Sequence, residues 1–407
     1  LSSSFSYGLV KSYVQGTFDR RRFSYQLTHT TRIDKRKQEQ ELHNYFRSRE
    51  WQLENQWQLS KNTMWTFTAT RRNIQYDQIL KESEDLNSAS LILRQSLHTR
   101  SNNDLFRFNQ TFESGTGQEP SLEYTYLRVN KGQGYYTWID INEDSVIQVS
   151  EFTLAPFQDQ GEYVRFAVTN NNFVKTKNHL LLQHIEIDGS KLGSSRNAGV
   201  LQKLALTSNL NLAWKQFGAQ RFKIPFQDDT SLVGLQAQMR TQIYFNRGKP
   251  GYEFQIGQLF NISKQRLNIG FESRSGVEYF FRSRHKINPR ITLESYLAQL
   301  QQGSELQFVE LRNYKIRSQV AEPKIQYQSG ASSRTAFSYR YKKSNNQFGA
   351  EGALIQELKL EIISQPAIRW SFRSAISFVH IDYKGEDNPW LQYSMLQGLR
   401  PGKNLLI

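Results

Sequence analysis

Between Val233 and Phe245 the chain alternates. Val233, Leu235, Ala237, Met239, Ile243 and Phe245 share one face with Thr241, while Gly234, Gln236, Gln238, Arg240, Gln242 and Tyr244 share the other. Successive strand residues point to opposite sides of a sheet, so this pattern predicts a two-faced strand. It recurs at 203–215, where Leu204, Leu206, Leu210, Leu212 and Trp214 oppose Lys203, Thr207, Asn209, Asn211 and Lys215. At 335–341, Phe337, Tyr339 and Tyr341 oppose Ser338 and Arg340, and at 368–378, Ile368, Trp370, Phe372, Ile376 and Phe378 oppose Arg369, Ser371, Arg373 and Ser377. Helical periodicity is poor, and "LNSASLILRQSL" (86–97) reads either way.

These segments run about 9–13 residues, whereas strands of soluble proteins centre on about five or six and membrane-crossing strands need roughly 9–11. Alternation at that length, with aromatics near segment ends and a second face of Gln, Asn, Arg, Ser and Thr, is the pattern of a transmembrane barrel. Trp51, Trp57, Trp65, Trp138, Trp214, Trp370 and Trp390 lie in or beside such segments, where interface girdles place tryptophan. The expected fold is all-β: an antiparallel transmembrane β-barrel over 1–407, with an inserted loop segment at 130–160. A large soluble sheet, sandwich or solenoid would share the alternation, but the polar face is too polar for a second core. Connections are expected at 34–41, 81–88, 113–120, 188–199, 246–251, 342–352 and 384–389, where polar, Gly- or Asn-bearing runs interrupt the pattern.

Composition sharpens this picture. Hydrophobic residues make up 38% of the 407, yet the chain holds 26 Phe, 20 Tyr and 7 Trp. Disordered chains lack aromatics, and strands that are polar on alternate positions account for both numbers. Only 9 prolines occur, as long strands require. With no cysteine, disulfides, thiolate metal sites and cysteine nucleophiles are excluded. No apolar run approaches the ~18–20 residues of a membrane helix, and "LSSSFSYGLV" lacks the shape of a signal peptide. The net charge of +15 implies anionic surroundings, with outer-membrane lipid and lipopolysaccharide among them. Nucleic acid is not expected, because alternation alone explains interleaved stretches such as "RTAFSYRYKK" (334–343).

One acidic stretch stands apart from this basic background. In "TWIDINEDSVIQVSEF" (137–152) the spacing from Asp140 follows a calcium loop: Asp140, Asn142, Asp144, Val146, Gln148 and Glu151 occupy positions one, three, five, seven, nine and twelve. Calcium takes six to eight hard oxygens. Asp140, Asn142 and Asp144 would supply side-chain oxygens, Val146 its carbonyl, Gln148 a water-mediated contact and Glu151 both carboxylate oxygens. Ser145 stands where the sharp turn prefers Gly. The flanks "KGQGYY" and "FTLAPF" are not helical, so the loop would hold an ion between strands. The expected cofactor is calcium, with magnesium as the other candidate. No catalytic site is expected: "GLRPGKN" (398–404) fails the phosphate-loop spacing, HExxH and GxSxG are absent, and the seven His are dispersed.

The stretches 132–166, 229–254, "GFESRS" (270–275), 312–328 and "WLQYSMLQGLRPGKN" (390–404) resemble a family of large outer-membrane proteins of Bacteroidota. The resemblance implies an outer-membrane barrel and no enzyme activity. Members carry Gly where Ser145 sits and continue through further strands, so the chain is expected to be part of a longer protein. The functional expectation is a non-enzymatic outer-membrane barrel, a structural or accessory subunit of an envelope machine for surface-protein secretion or outer-membrane protein assembly. It would work with other envelope proteins in a multi-subunit complex. The alternatives are a passive porin with a cationic lumen and a soluble periplasmic or cell-surface binding domain.

Overall fold

The computed structural model describes residues 7–20, 22–38, 41–76, 88–140, 147–155, 160–192, 199–218, 231–267, 270–307, 313–330, 332–367, 370–385, 389–396, 399 and 401–406. The strands are β1 (Tyr7–Arg20), β2 (Phe23–Gln38), β3 (Glu41–Ser60), β4 (Thr63–Tyr76), β5 (Ser88–Arg100), β6 (Phe106–Arg128), β7 (Tyr136–Trp138), β8 (Phe152–Leu154), β9 (Tyr163–Asp188), β10 (Leu204–Phe217), β11 (Leu232–Phe245), β12 (Tyr252–Leu267), β13 (Gly270–Lys286), β14 (Ile291–Leu306), β15 (Tyr314–Ser329), β16 (Ser333–Asn346), β17 (Gly352–Ala367), β18 (Trp370–Lys384) and β19 (Gly402–Leu406). One helix, α1 (Pro389–Leu396), joins the last two. Each strand from β1 to β6 pairs antiparallel with its chain neighbour, β6 pairs with β9, and the meander then runs from β9 to β19. The small hairpin β7–β8 is attached to this ladder at Tyr163. Among the described residues no pairing joins β1 to β18 or β19.

Following the register from strand to strand assigns every side chain to one of two faces. On one face, Ile187 pairs with Phe106, Leu206 with Ile243, Ile243 with Ile256, Ile256 with Phe281, Phe281 with Leu297, Ile325 with Phe337, Phe337 with Leu360 and Leu360 with Ile376. Large apolar side chains here are open to the surroundings: Phe18, Leu27, Trp51, Ile256 (60% exposed), Leu297 and Trp370 (75%). The other face is concave. Helix α1 packs against it, where Leu391, Met395 and Leu396 bury Ile316, Ala353, Ile355, Val379 and Ile381 of β15, β17 and β18. Pro389 begins this helix, a position where its missing N–H costs nothing.

The alternating segments at 204–215, 233–245 and 335–341 fall in β10, β11 and β16, 368–378 falls in β18 from Trp370 onward, and 86–97 resolves as strand β5 from Ser88 onward; residues 86–87 and 368–369 lie outside the described residues. The long strands, β1–β6 and β9–β18, run from 13 residues (β5), the top of the expected 9–13, to 26 (β9). The difference has a physical cause. The apolar band occupies only part of each strand, such as Phe254–Ile262 of β12, about 26 Å at ~3.3 Å per residue. Beyond it the convex face turns polar, as at Gln299 and Gln301 of β14 or Arg317 and Gln319 of β15. There both faces are hydrophilic, so alternation fades although the ladder continues.

One expected connection narrows and another is strand interior. The connection at 34–41 shortens to 39–40, its flanks belonging to β2 and β3. "ESGTGQEP" (113–120) runs through β6. Gly117 leaves room for its neighbours, since a Cβ there would meet Asn178 Nδ2 at 2.9 Å and Thr176 Oγ1 at 3.0 Å. The segment's proline sits at the register shift between Pro120 and Leu122, where β6 and β9 slip relative to one another. The connection at 246–251 is as expected, 342–352 narrows to 347–351, and most of 81–88 lies outside the described residues.

The two ends of the sheet differ. At one end the connections are mostly tight, among them 21–22, 61–62, 330–332 and 368–369. At the other they include 77–87, 129–162, 218–231 and 385–401. The convex apolar band lies toward the tight-turn end. At the opposite end of β10 and β11 the convex face is covered: Leu212, Trp214 (4% exposed), Leu235 and Ala237 form a buried cluster. Nearby, Arg266 of β12 reaches the Tyr124 hydroxyl of β6, although β9, β10 and β11 separate those strands in the ladder.

Candidate functional site

The concave face is built from the polar half of each alternating pattern. Two adjacent rows cross it at mid-height. One runs through Asn109, His184, Asn209, Arg240, Leu259, Glu278 and Leu300, and the next through Thr111, Leu182, Asn211, Gln238, Asn261, Gly276 and Gln302. Together they line a concavity of about 690 Å³. Leu182, Leu259 and Leu300 give it apolar spots, and the carboxamides, Arg240 and Glu278 give it donors and acceptors. Neighbouring strands hold these groups in place: His98 Nδ1 lies 3.0 Å from Asn109 Oδ1, and His184 Nδ1 lies 2.7 Å from Asn209 Oδ1. Gly276 leaves room for the Asn261 carboxamide in this wall, since a Cβ there would come within 2.1 Å of Asn261 Oδ1 and displace it.

Charge is also sorted by face. Among the described residues, the ion pairs that cross from one strand to another lie on the concave side: Arg72–Glu50 (2.5 Å), Arg94–Glu113 (3.8 Å), Arg107–Glu186 (3.4 Å), Lys215–Glu119, Arg284–Glu253 (2.8 Å), Lys324–Glu294 (4.0 Å) and Arg340–Glu322 (3.9 Å). Half-exposed pairs of this kind contribute about 0–1 kcal/mol each to stability. Their placement is the informative part, since a wall lined with them is suited to water. A second charged hollow of about 450 Å³ lies beside the first, bounded by Glu253, Arg284, Glu294, Tyr296, Glu322 and Lys324. Alternation identifies these residues as polar and cannot identify which strands stand side by side.

The acidic stretch lies apart from this wall, in the 129–162 connection at the other end of the strands. The structure describes Asp140, Gln148 and Glu151; Asn142, Asp144 and Val146 lie outside the described residues. Glu151 is 2% exposed. Its Oε2 accepts the Trp138 indole N–H at 2.8 Å and the Gln148 backbone N–H at 3.1 Å. Ile139 donates its N–H to the Glu151 carbonyl at 3.0 Å, which brings Asp140 and Glu151 to the two feet of one loop. Strands β7 and β8 zip these feet together, and Tyr126 stacks on Phe152 at 3.8 Å. Burial pushes the Tyr136 phenol above its ordinary pKa, with the Arg165 cation pulling the other way. Among the described residues no group of three or more His, Cys, Asp or Glu is gathered as metal ligands.

No protein-family model and no curated protein matches the chain. Among solved structures, the siderophore receptor PirA from Acinetobacter baumannii aligns at 10% identity and a TM-score of 0.37, covering 93% of this chain and 60% of that one. The open form of the ferric-catecholate import receptor Fiu from E. coli K12 aligns at 9% identity and a TM-score of 0.32, covering 94% of this chain and 68% of that one. The chain thus spans about 60% and 68% of the lengths of these two proteins.

Proposed function

We propose that this chain forms the wall of a non-enzymatic β-barrel in the bacterial outer membrane. The observation that carries the reading is the separation of its two faces. Exposed apolar side chains run from strand to strand in a band along the convex face, whereas the strand-to-strand ion pairs lie on the concave one. Soluble monomers rarely expose contiguous apolar patches beyond a few hundred Å². A surface of Phe, Leu, Ile and Trp this wide is favourable only against hydrocarbon or another apolar surface. Paired backbone along the ladder meets the second demand of a bilayer, in which each unpaired amide is costly. No helix of the described residues is long and apolar enough to cross a membrane, so any crossing is made by strands.

Within this reading the chain serves as a structural or accessory subunit of an envelope machine, for surface-protein secretion or for assembly of outer-membrane proteins. The polar continuation of the strands beyond the apolar band supports it, because it lifts a hydrophilic rim clear of the membrane where partner proteins can dock. The 129–162 connection stands on that rim, and a divalent ion held by Asp140, Asn142, Asp144, Val146, Gln148 and Glu151, calcium before magnesium, would neutralise its packed carboxylates. The second reading, a passive channel, is favoured by the charged concave wall; a cationic lumen, in keeping with the chain's net charge of +15, would select anions.

The decisive experiment is purification with and without detergent, followed by gel electrophoresis of heated and unheated samples. A barrel requires amphiphile and changes mobility on heating. A compact, dissolved monomer without amphiphile would refute the reading. Planar-bilayer recording then separates the two roles: steady anion-selective conductance identifies the channel, and a silent protein that leaves the envelope with stoichiometric partners identifies the subunit.

A further inference from the structure

The convex face of β3 and β4 changes character within one residue pair. From the tight-turn end it carries Trp57, Asn55, Leu53 and Trp51 on β3, and Trp65, Phe67 and Ala69 on β4. Arg49 and Arg47 follow on β3, and Arg71, Asn73 and Gln75 on β4. The register sets Trp51 opposite Arg71, Arg49 opposite Asn73 and Arg47 opposite Gln75. Arg49 and Arg71 are therefore diagonal neighbours, roughly 7–8 Å apart at the backbone, a span that two long side chains close easily. All three arginines are exposed. The flanking strands add His29, Thr31 and Ile33 from β2, and Leu91 and Ala89 from β5, to the same face. None of these is acidic.

The opposite face of the same strands shows that counter-charges are available to this region. There Arg72 meets Glu50 at 2.5 Å and Arg32 meets Asp34 at 2.7 Å. Among the described residues, no side-chain hydrogen bond or ion pair is made by Arg47, Arg49 or Arg71. Three like charges held side by side without a counter-ion repel, and an anion bridging them removes that cost. Guanidinium groups suit phosphate especially, because their paired N–H donors match its oxygens.

The height of the cluster says where such an anion comes from. Trp51 is 51% exposed, its ring lies 4.1 Å from that of His29, and it closes the apolar band as an interfacial tryptophan does. Arg71 stands opposite Trp51, and Arg49 and Arg47 follow in the next two rows, at the depth of lipid headgroups. They lie toward the end of the sheet that carries the long connections, and in outer-membrane barrels long connections face outward while short turns face the periplasm.

We propose that Arg47, Arg49 and Arg71 bind the phosphorylated headgroup of an outer-leaflet glycolipid, whose acyl chains lie along the Trp51–Leu53–Ala69 surface. This inference rests on the barrel reading and adds to it a lipid site with named residues. The test uses the full chain in nonionic micelles, first confirmed by heat-dependent gel mobility, so that loss of the fold is scored separately from loss of lipid. Binding of bis-phosphorylated lipid A, its dephosphorylated form, phosphatidylglycerol and inorganic phosphate is measured by native mass spectrometry and by the shift in unfolding temperature. Lipid A is expected to bind and raise the unfolding temperature, and removing its phosphates is expected to abolish most of the effect. Each Arg→Gln change should weaken binding about five-fold, and the triple change of the order of a hundred-fold. Arg→Lys changes keep the charge but lose the paired donors, so their affinity should fall between that of the parent chain and that of the Gln variants. Equal binding of the dephosphorylated lipid overturns the proposal without needing any variant. So does full affinity in the triple variant, or a preference for phosphatidylglycerol or free phosphate.

Discussion

Leu297 is a sensitive reporter of which medium touches the sheet. It projects from the convex face between Phe281 and Ala321 and is half exposed. In water a charge at such a position would cost little. Within a hydrocarbon band, Leu297→Arg is expected to lower folding stability in bilayers by about 2–4 kcal/mol. Ser273→Arg lies on the same face beyond the band, between Lys264 and Glu305, and should stay within about 0.5 kcal/mol. Chemical denaturation in lipid vesicles measures both, and equal effects would show that no band exists. Glu151 calls for a different readout. Glu151→Ala leaves the Trp138 indole and the Gln148 amide without their acceptor, a loss of about 1–3 kcal/mol within the loop. Cleavage inside 129–162 should therefore rise in limited proteolysis. Chelator should raise it in the parent chain as well, and unchanged cleavage with chelator would rule out a resident cation.

Helix α1 gives the concave surface its own small core. Leu396 is fully buried (0% exposed) against strands β15, β17 and β18. Leu396→Ala is expected to cost about 2–5 kcal/mol of local stability, seen as faster amide exchange in α1 and β19 while the sheet stays protected. Sequence periodicity did not reveal this helix. Eight residues hold barely two turns, and Trp390, Leu391, Met395 and Leu396 form no clean stripe. The strands were legible where one face meets an apolar medium and the other water. They were illegible where both faces turn polar, as along the outer parts of β14 and β15, and where a small residue makes room for a close neighbour, as at Gly117 in β6. Tertiary neighbours decide those positions, and spacing along the chain does not record them.

For the whole molecule, alternation carried the all-β class and the antiparallel meander, because hairpins follow from strands joined by short polar runs. The concave wall was legible only as a composition. Rows such as Asn109–His184–Asn209–Arg240 gather residues some 130 positions apart, and only the register of three successive pairings brings them together. The calcium-type spacing was plain in the sequence, and the structure adds the burial of Glu151 and the indole that holds it. The sorting of charge across the two faces was legible in part, since Arg and Lys alternate with aromatics, but the partners of each cation depend on the neighbouring strand.

The ladder has one seam. Every other pairing of long strands joins chain neighbours, so each can zip up from a nearby turn. Strand β6 must instead find β9 across residues 129–162, a gap of 34 residues. Closing that loop rather than a four-residue one costs about 2 kcal/mol in chain entropy. The β7–β8 hairpin and the Glu151 latch draw the gap shut from within. Hairpins before and after the seam can form independently, and the moment at which this clasp closes sets when the two halves become a single sheet.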